Sequence, residues 1–315
     1  MFEEKFIKNA IDRSAETGLD RRKLLGMVGL AGAGAAAAAV ASAAPAMAAT
    51  TPVSDGTILN FALNLEYLEA EFYLNAVTGA GLPAGLISGS QTTGAVSGGG
   101  RAVNFTTPAI KNYATEIAQD EKQHVAFLRA ALGSAAVARP AINIGAAFQS
   151  AAVAAGIATA STPFDPYANE INFLLAAFIF EDVGVTAYKG AAGLIANKTY
   201  LDAAAGILAV EAYHAGIIRT TLYAQGLETP AIFADVNAIS GLRDAVDGST
   251  DDDQGIGSAT VGNLVPTDSN SIAYSRTPGE VLNIVYLNAT GNSVSKGGFF
   301  TNGLNGALVA STANG

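Results

Sequence analysis

The chain has two histidines, His124 and His214, and each follows a glutamate by three positions: Glu121-Lys122-Gln123-His124 and Glu211-Ala212-Tyr213-His214. On a helix, residues three apart share a face. A carboxylate and an imidazole placed in this way can hold one cation together, or bridge to a second. Two further glutamates sit in strongly apolar surroundings, Glu66 within Leu63–Leu68 and Glu181 within Phe178–Val183. A lone ionised carboxylate there is costly unless it is paired or metal-bound. Each of these is followed seven residues later by a tyrosine, Tyr73 and Tyr188. The chain therefore repeats one order of features, a Glu…Tyr segment and then a Glu-x-x-His segment, in two halves. The alternative is a set of salt-bridged surface groups, which requires four segments to match by accident.

Carboxylates are hard oxygen donors that can bridge two cations, and imidazole suits iron and manganese. Glu66, Glu121, His124, Glu181, Glu211 and His214 are the candidate metal ligands. Six side chains around two ions leave coordination positions open, hence reactivity toward oxygen or peroxide. Glu69, one turn from Glu66, is expected to face solvent or a neighbour, or to support a ligand. Glu71 is expected to face solvent or a neighbour. Glu170 reads as a helix-end charge. Tyr73 and Tyr188 suit core packing, hydrogen bonds to ligands or electron relay.

Four long apolar-periodic segments must position these groups. They run from about 55 to 77, from Thr107-Pro108 to about 132, from Asp165-Pro166 to about 196, and from about 199 to 225. Thr107-Pro108 and Asp165-Pro166 each place a capping residue before a proline, and Gly226 reads as the stop of the fourth. A Gly/Ser-rich connection fills 79–106. The stretch 133–165 is a long connection with one short helix near 145–155. The predicted class is all-α, a four-helix bundle over 54–226 with a long crossover between helices 2 and 3. Residues 235–315 read as a mostly irregular C-terminal extension packing on the bundle, with short helices near 236–246 and after the capping box Thr277-Pro278-Gly279-Glu280. Asp251-Asp252-Asp253 reads as a solvated turn, since it lacks the spacing of a calcium loop.

This arrangement resembles the ferritin-like superfamily, in which one Glu from each of two helices joins Glu-x-x-His from each of the other two. The stretch Leu59–Tyr73 and the Gly-Phe-Phe tail resemble its desiccation-related branch, with plant members and exported bacterial relatives. The resemblance implies two metal ions, iron or manganese. It implies Glu66 and Glu181 as terminal ligands, Glu121 and Glu211 as bridges, and His124 and His214 completing the two sites. It further implies a carboxylate behind each histidine, preceding the opposite motif. Asp120 fills that place for His214, but Val210 stands there for His124, so unequal affinities for the two ions are expected. The family fixes a fold better than a reaction. An oxidase, peroxidase or catalase-like enzyme of oxidative or desiccation stress is one expectation. A non-catalytic protective protein whose metal only stabilises the bundle is the other. A closed iron-storage shell is disfavoured by the Gly-rich inserts and the extension.

The first 48 residues read as an address. Asp20-Arg21-Arg22-Lys23 precedes an Ala/Gly-rich apolar stretch, and Ala46-Met47-Ala48 is a small-x-small exit. The paired arginines resemble a twin-arginine signal, although Asp20 and Leu24 depart from its usual residues. The expectation is export to the periplasm or beyond, with no stable membrane span after cleavage. Cleavage after Ala48 leaves 11 basic and 22 acidic residues. That acidity argues against nucleic acid as a partner. Metal ions, oxygen or peroxide, and a second copy in a homodimer remain the expected partners. With no Cys in the chain, disulfide and thiolate chemistry are excluded.

Overall fold

A computed structural model describes residues 53–313 except 249 and 251. The signal-type leader therefore lies outside the described residues, as does Asp251. Four long helices form the bundle: α1 (Asp55–Thr78), α2 (Pro108–Leu132), α4 (Glu170–Ala192) and α5 (Lys198–Glu228). The crossover between α2 and α4 carries a short helix, α3 (Ala146–Ala154). Beyond the bundle come α6 (Ala231–Asp247) and α7 (Pro278–Val285). Two small ladders accompany them. Val96–Ser97 (β1) pairs in parallel with Ile142–Asn143 (β2), and Gly257–Ser258 (β3) pairs antiparallel with Val261–Gly262 (β4). The all-α reading holds, since the strands are two-residue ties between loops.

Local chemistry explains the helix ends. Ser54 caps α1 by accepting from the amide of Thr57, and Gly79 closes it in the left-handed region at φ 74°. The predicted capping box at α7 is present, with Thr277 and Glu280 satisfying each other's backbone amides. Two boundaries differ from expectation. Helix α4 starts at Glu170 with Asn169 as its cap. Asp165 instead pairs with Arg101 and accepts from the amide of Tyr167 in a preceding turn. Helix α5 does not stop at Gly226 but continues to Glu228. The glycine is a packing residue, because a Cβ there would lie 2.9 Å from the ring of Phe233 on α6. Helix α6 also begins five residues earlier than the pattern suggested.

Helix α1 packs mainly against α2, and α4 against α5. Contacting residues show that α1 and α2 run antiparallel: Asn60 reaches Ala135, while Tyr67 further along α1 reaches Arg129. Seventeen of the 24 residues of α1 and fifteen of the 23 of α4 are buried, against eight of 25 in α2. The two central helices are therefore enclosed on nearly all sides, which explains their near-continuous apolar sequence. By length and composition α4 and α5 could each cross a membrane, but the apolar window of α4 is 83% buried inside the protein.

The extension supplies part of that enclosure. Phe299 packs edge-on against Phe148 of α3 and Phe180 of α4, with ring centroids 5.0 and 4.8 Å away. Asn305 exchanges two hydrogen bonds with the side-chain amide of Asn64 on α1. A buried charge network joins α4, α5 and α6 to the following chain. Asp182 pairs with Arg219 and Arg243, Asp253 with Arg243 and Arg276, and Asp247 with Arg276. The expected solvated turn at 251–253 is thus corrected at Asp253, which is buried and held by two guanidinium groups. Burying a carboxylate beside two cations relieves the desolvation that would otherwise drive it to the surface.

Candidate metal centre

All six candidate ligands converge at the middle of the bundle, and all six are buried. Glu66 comes from α1, Glu121 and His124 from α2, Glu181 from α4, and Glu211 and His214 from α5. Both imidazoles turn Nδ1 toward the carboxylates, and their ring centroids lie 6.4 Å apart. Nδ1 of His124 is 3.1 Å from Glu66, 3.6 Å from Oε2 of Glu121 and 3.7 Å from Glu211. Nδ1 of His214 is 3.0 Å from Oε1 of Glu121 and 3.7 Å from Glu181. Glu121 thus offers one oxygen to each histidine.

Two overlapping groups of donor atoms result. Glu66, Glu121, His124 and Glu211 form one; Glu181, Glu211 and His214 form the other; within each, the donor atoms lie within 4.8 Å of one another. Both oxygens of Glu121 and of Glu211, Oε2 of Glu181 and Nδ1 of His214 are buried without a hydrogen-bond partner among the described residues. Nδ1 of His214 and Oε1 of Glu121 approach closely without aligning for a hydrogen bond. Buried polar atoms are normally satisfied, so this donor set fits cations.

The electrostatics agree. Burial, reinforced by Glu121 and opposed by His124, pushes Glu66 up to about 7. Burial likewise lifts Glu181 to about 8. Glu211 rises well above the ordinary carboxylate range through burial and four neighbouring carboxylates. Glu121 goes the other way: burial raises it, but the two imidazoles outweigh this and hold it at about 2. Burial opposes charge on the histidines as well, yet Glu66 and Glu121 carry His124 up to about 11, and Glu121 and Glu181 carry His214 to about 9. Four carboxylates crowded together repel unless positive charge is supplied, and two divalent ions balance four such charges.

Three supporting features stand around the six. The first is a crosswise pair of tyrosines. Tyr73 of α1 donates to Oε1 of Glu181 on α4, and Tyr188 of α4 donates to Oε1 of Glu66 on α1. Sequence spacing placed each tyrosine on the same face as its own helix's glutamate, but the antiparallel packing of α1 and α4 exchanges the partners. The second is Asp120, whose Oδ2 lies 3.1 Å from Nε2 of His214. No described residue hydrogen-bonds Nε2 of His124. The third is Gly184. A Cβ there would lie 2.3 Å from Oε2 of Glu211 and 3.6 Å from Oε1 of Glu69, so the missing side chain makes room for Glu211. Nothing in the sequence alone marked this glycine.

The neighbouring acids separate cleanly. Glu69 is buried, and burial plus Glu121, Glu181 and Glu66 raise it well above its ordinary value. It belongs to the charge field of the centre rather than to the solvent face. Glu71 is buried too, paired with Arg139. Glu170 accepts from the amides of Thr106 and Thr107 at the start of α2, as a helix-end charge.

Comparison with known proteins agrees with this geometry. Residues 54–224 match the ferritin-like domain family. This chain belongs to the ferritin-like family. Among curated proteins, the ferritin-like catalase Nec2 of Nesocodon mauritianus is 30% identical over 270 residues, covering 81% of this chain and 85% of its own. The desiccation-related protein PCC13-62 of Craterostigma plantagineum is 33% identical over 243 residues, covering 72% and 76%. No solved structure matches. The ferritin-like match ends within α5, so the layer formed by α6, α7 and the tail lies beyond the shared domain, whereas both relatives align over more of the chain than the domain alone.

Proposed function

We propose that this ferritin-like protein is exported through its twin-arginine-type leader and holds two iron or manganese ions that act on peroxide or oxygen. The observation that carries the reading is that Glu211 belongs to both donor groups while Glu121 reaches both histidines. The relative named as a ferritin-like catalase favours peroxide as the substrate. The bound ions would supply a redox couple and open positions for the substrate. The protein's own contribution is orientation and exclusion of water. Tyr73 and Tyr188 fix Oε1 of Glu181 and Glu66, which leaves Oε2 of each facing the histidines. Asp120 keeps the proton of His214 on Nε2, so that the Nδ1 lone pair is free. Leu65, Leu68, Phe180 and Val183 form an apolar wall beside Glu69, and burial, reinforced by Glu121, Glu181 and Glu66, disfavours charge on Glu69 next to the centre.

The test is direct. Protein purified from its exported compartment contains about two iron or manganese ions per chain by elemental analysis, and it evolves oxygen from peroxide or consumes peroxide with a reductant. Glu121→Ala and His214→Ala lose both metal and turnover. A second reading is favoured by the relative named as desiccation-related: the ions act as a staple for the bundle. Under that reading, stripping the metal lowers Tm while no peroxide or oxygen is consumed by the loaded protein.

A further inference from the structure

Glu69 is buried, yet its carboxyl group is not sealed into the metal centre. Its oxygens hydrogen-bond to no described residue, and they are not among the fully enclosed unpaired oxygens that Glu121 and Glu211 contribute. The side chain borders a small cavity between α1, α4 and α7. Val183 and Gly184 of α4 and Ile284 and Val285 of α7 line it, and leucine and phenylalanine of α1 and α4 complete the wall. The centre of a water-sized molecule has about 20 Å³ to occupy there. One water needs about 10–15 Å³ on that measure, so the space suits a molecule of one or two heavy atoms.

Gly184 separates the cavity from the centre. A Cβ on it would lie 2.3 Å from Oε2 of Glu211 and 3.6 Å from Oε1 of Glu69. The bare glycine therefore puts no side chain between these two acids. Helix α7, which covers the cavity with Ile284 and Val285, belongs to the extension beyond the ferritin-like match.

A carboxyl group offers an acceptor oxygen in either protonation state, so the occupant that satisfies Glu69 is a donor. The apolar wall and the crowded carboxylates disfavour an anion. Dioxygen has no proton to donate. Hydrogen peroxide is neutral, has two heavy atoms, and both donates and accepts. We infer that this cavity receives the substrate of the centre, one hydrogen peroxide molecule hydrogen-bonded to Glu69 and confined by Ile284 and Val285 of the extension. The role in turnover rests on the peroxide reading above, whereas the binding does not.

The test has two arms, both on the full chain. In the first, crystals of the protein, stripped of metal so that the probe is not consumed, are soaked in hydrogen peroxide and compared with unsoaked crystals. Two connected oxygen peaks are expected in the cavity, one within hydrogen-bond distance of Glu69. An empty cavity, or the same single water in both crystals, overturns the inference. In the second arm, metal-loaded Glu69→Leu keeps its metal content and Tm, while KM for hydrogen peroxide rises about tenfold and kcat holds, the scale of one lost hydrogen bond. Glu69→Gln keeps an acceptor and restores most of the loss. Val285→Ile adds one methylene to the cavity wall and removes the soaked density while raising KM in the same way. If Glu69→Leu loses metal, Val285→Ile carries the kinetic arm, and if Val285→Ile lowers Tm, Val183→Ile fills the cavity from α4. An unchanged KM in these folded, metal-replete variants overturns the inference. If the unaltered loaded protein consumes no peroxide, the peroxide reading falls, and the crystals alone decide whether the cavity binds.

Discussion

Nε2 of His214 lies 3.1 Å from Oδ2 of Asp120, and among the described residues no carboxylate takes the corresponding place at His124. One imidazole is oriented and made more basic from behind, while the other is held only from the front, by Glu66, Glu121 and Glu211. The two halves of the centre are therefore alike in ligands and unlike in support. Metal titration into stripped protein should show two distinguishable steps. Asp120→Ala should weaken one of them by about 10–100-fold, the usual effect of removing such a partner. Two equal steps in the unaltered protein would count against this account.

The crosswise tyrosines yield a double-mutant test. Tyr73→Phe should lower the stability of the chelator-stripped protein by about 1–3 kcal/mol, the scale for leaving a buried acceptor without its donor. Combined with Glu181→Gln, the effects should be non-additive, and combined with Glu66→Gln, nearly additive. Urea unfolding followed by circular dichroism gives both values, and the reverse pattern would show that each tyrosine serves its own helix.

Stability of the stripped protein should fall as pH rises. His214 and His124, raised to about 9 and about 11, stabilise the fold fully below their ordinary value of 6.5. That contribution disappears as pH climbs through the raised values. Glu66 and Glu181, raised to about 7 and about 8, act in the same direction, because ionising them in the folded state costs more than in the unfolded chain. Glu121, held at about 2, contributes above its ordinary value of 4.5 and loses this only in strong acid. Calorimetry should find a lower Tm at pH 10 than at pH 5 without metal, and a flatter profile with metal bound.

Gly184→Ala should separate metal binding from folding. The added methyl would sit 2.3 Å from Oε2 of Glu211, so the carboxylate must move out of the shared position. Helicity should be retained, since alanine favours helix over glycine, while the metal content falls below two per chain. Full metal content in Gly184→Ala would show that Glu211 has slack to spare.

Arg243→Met should be among the costliest single changes. It leaves Asp182 and Asp253 buried with reduced compensation and removes a donor to the carbonyl of Phe178. Loss of one partner from such a network costs about 3–5 kcal/mol. Hydrogen exchange should show the chain from 252 to 276 opening before the bundle does, because Arg243 anchors it at Asp253.

Much of the centre was legible because its chemistry is local. A Glu-x-x-His pair needs only one helical turn, and glutamate amid leucine and phenylalanine announces an unusual environment. Partners across helices were less legible. Same-helix spacing put Tyr73 with Glu66, whereas antiparallel packing gives it to Glu181. Gly184 was silent because a glycine inside a helix carries no signal about what approaches it. Gly226 misled for a related reason, since packing against Phe233 imitates a stop. Asp253 looked like a turn residue because its cations are 10 and 23 positions away, at Arg243 and Arg276. Glu69 stayed ambiguous, since one turn from a ligand is compatible with either face of a helix.

The crosswise exchange also bears on how such a chain can be assembled from smaller parts. A half-length chain with one Glu…Tyr helix and one Glu-x-x-His helix would make each of these contacts by pairing with its own copy about a twofold axis, tyrosine to glutamate in both directions. Joining two halves in a single polypeptide frees each from matching the other. That freedom is what allows Asp120 in one half to correspond to Val210 in the other.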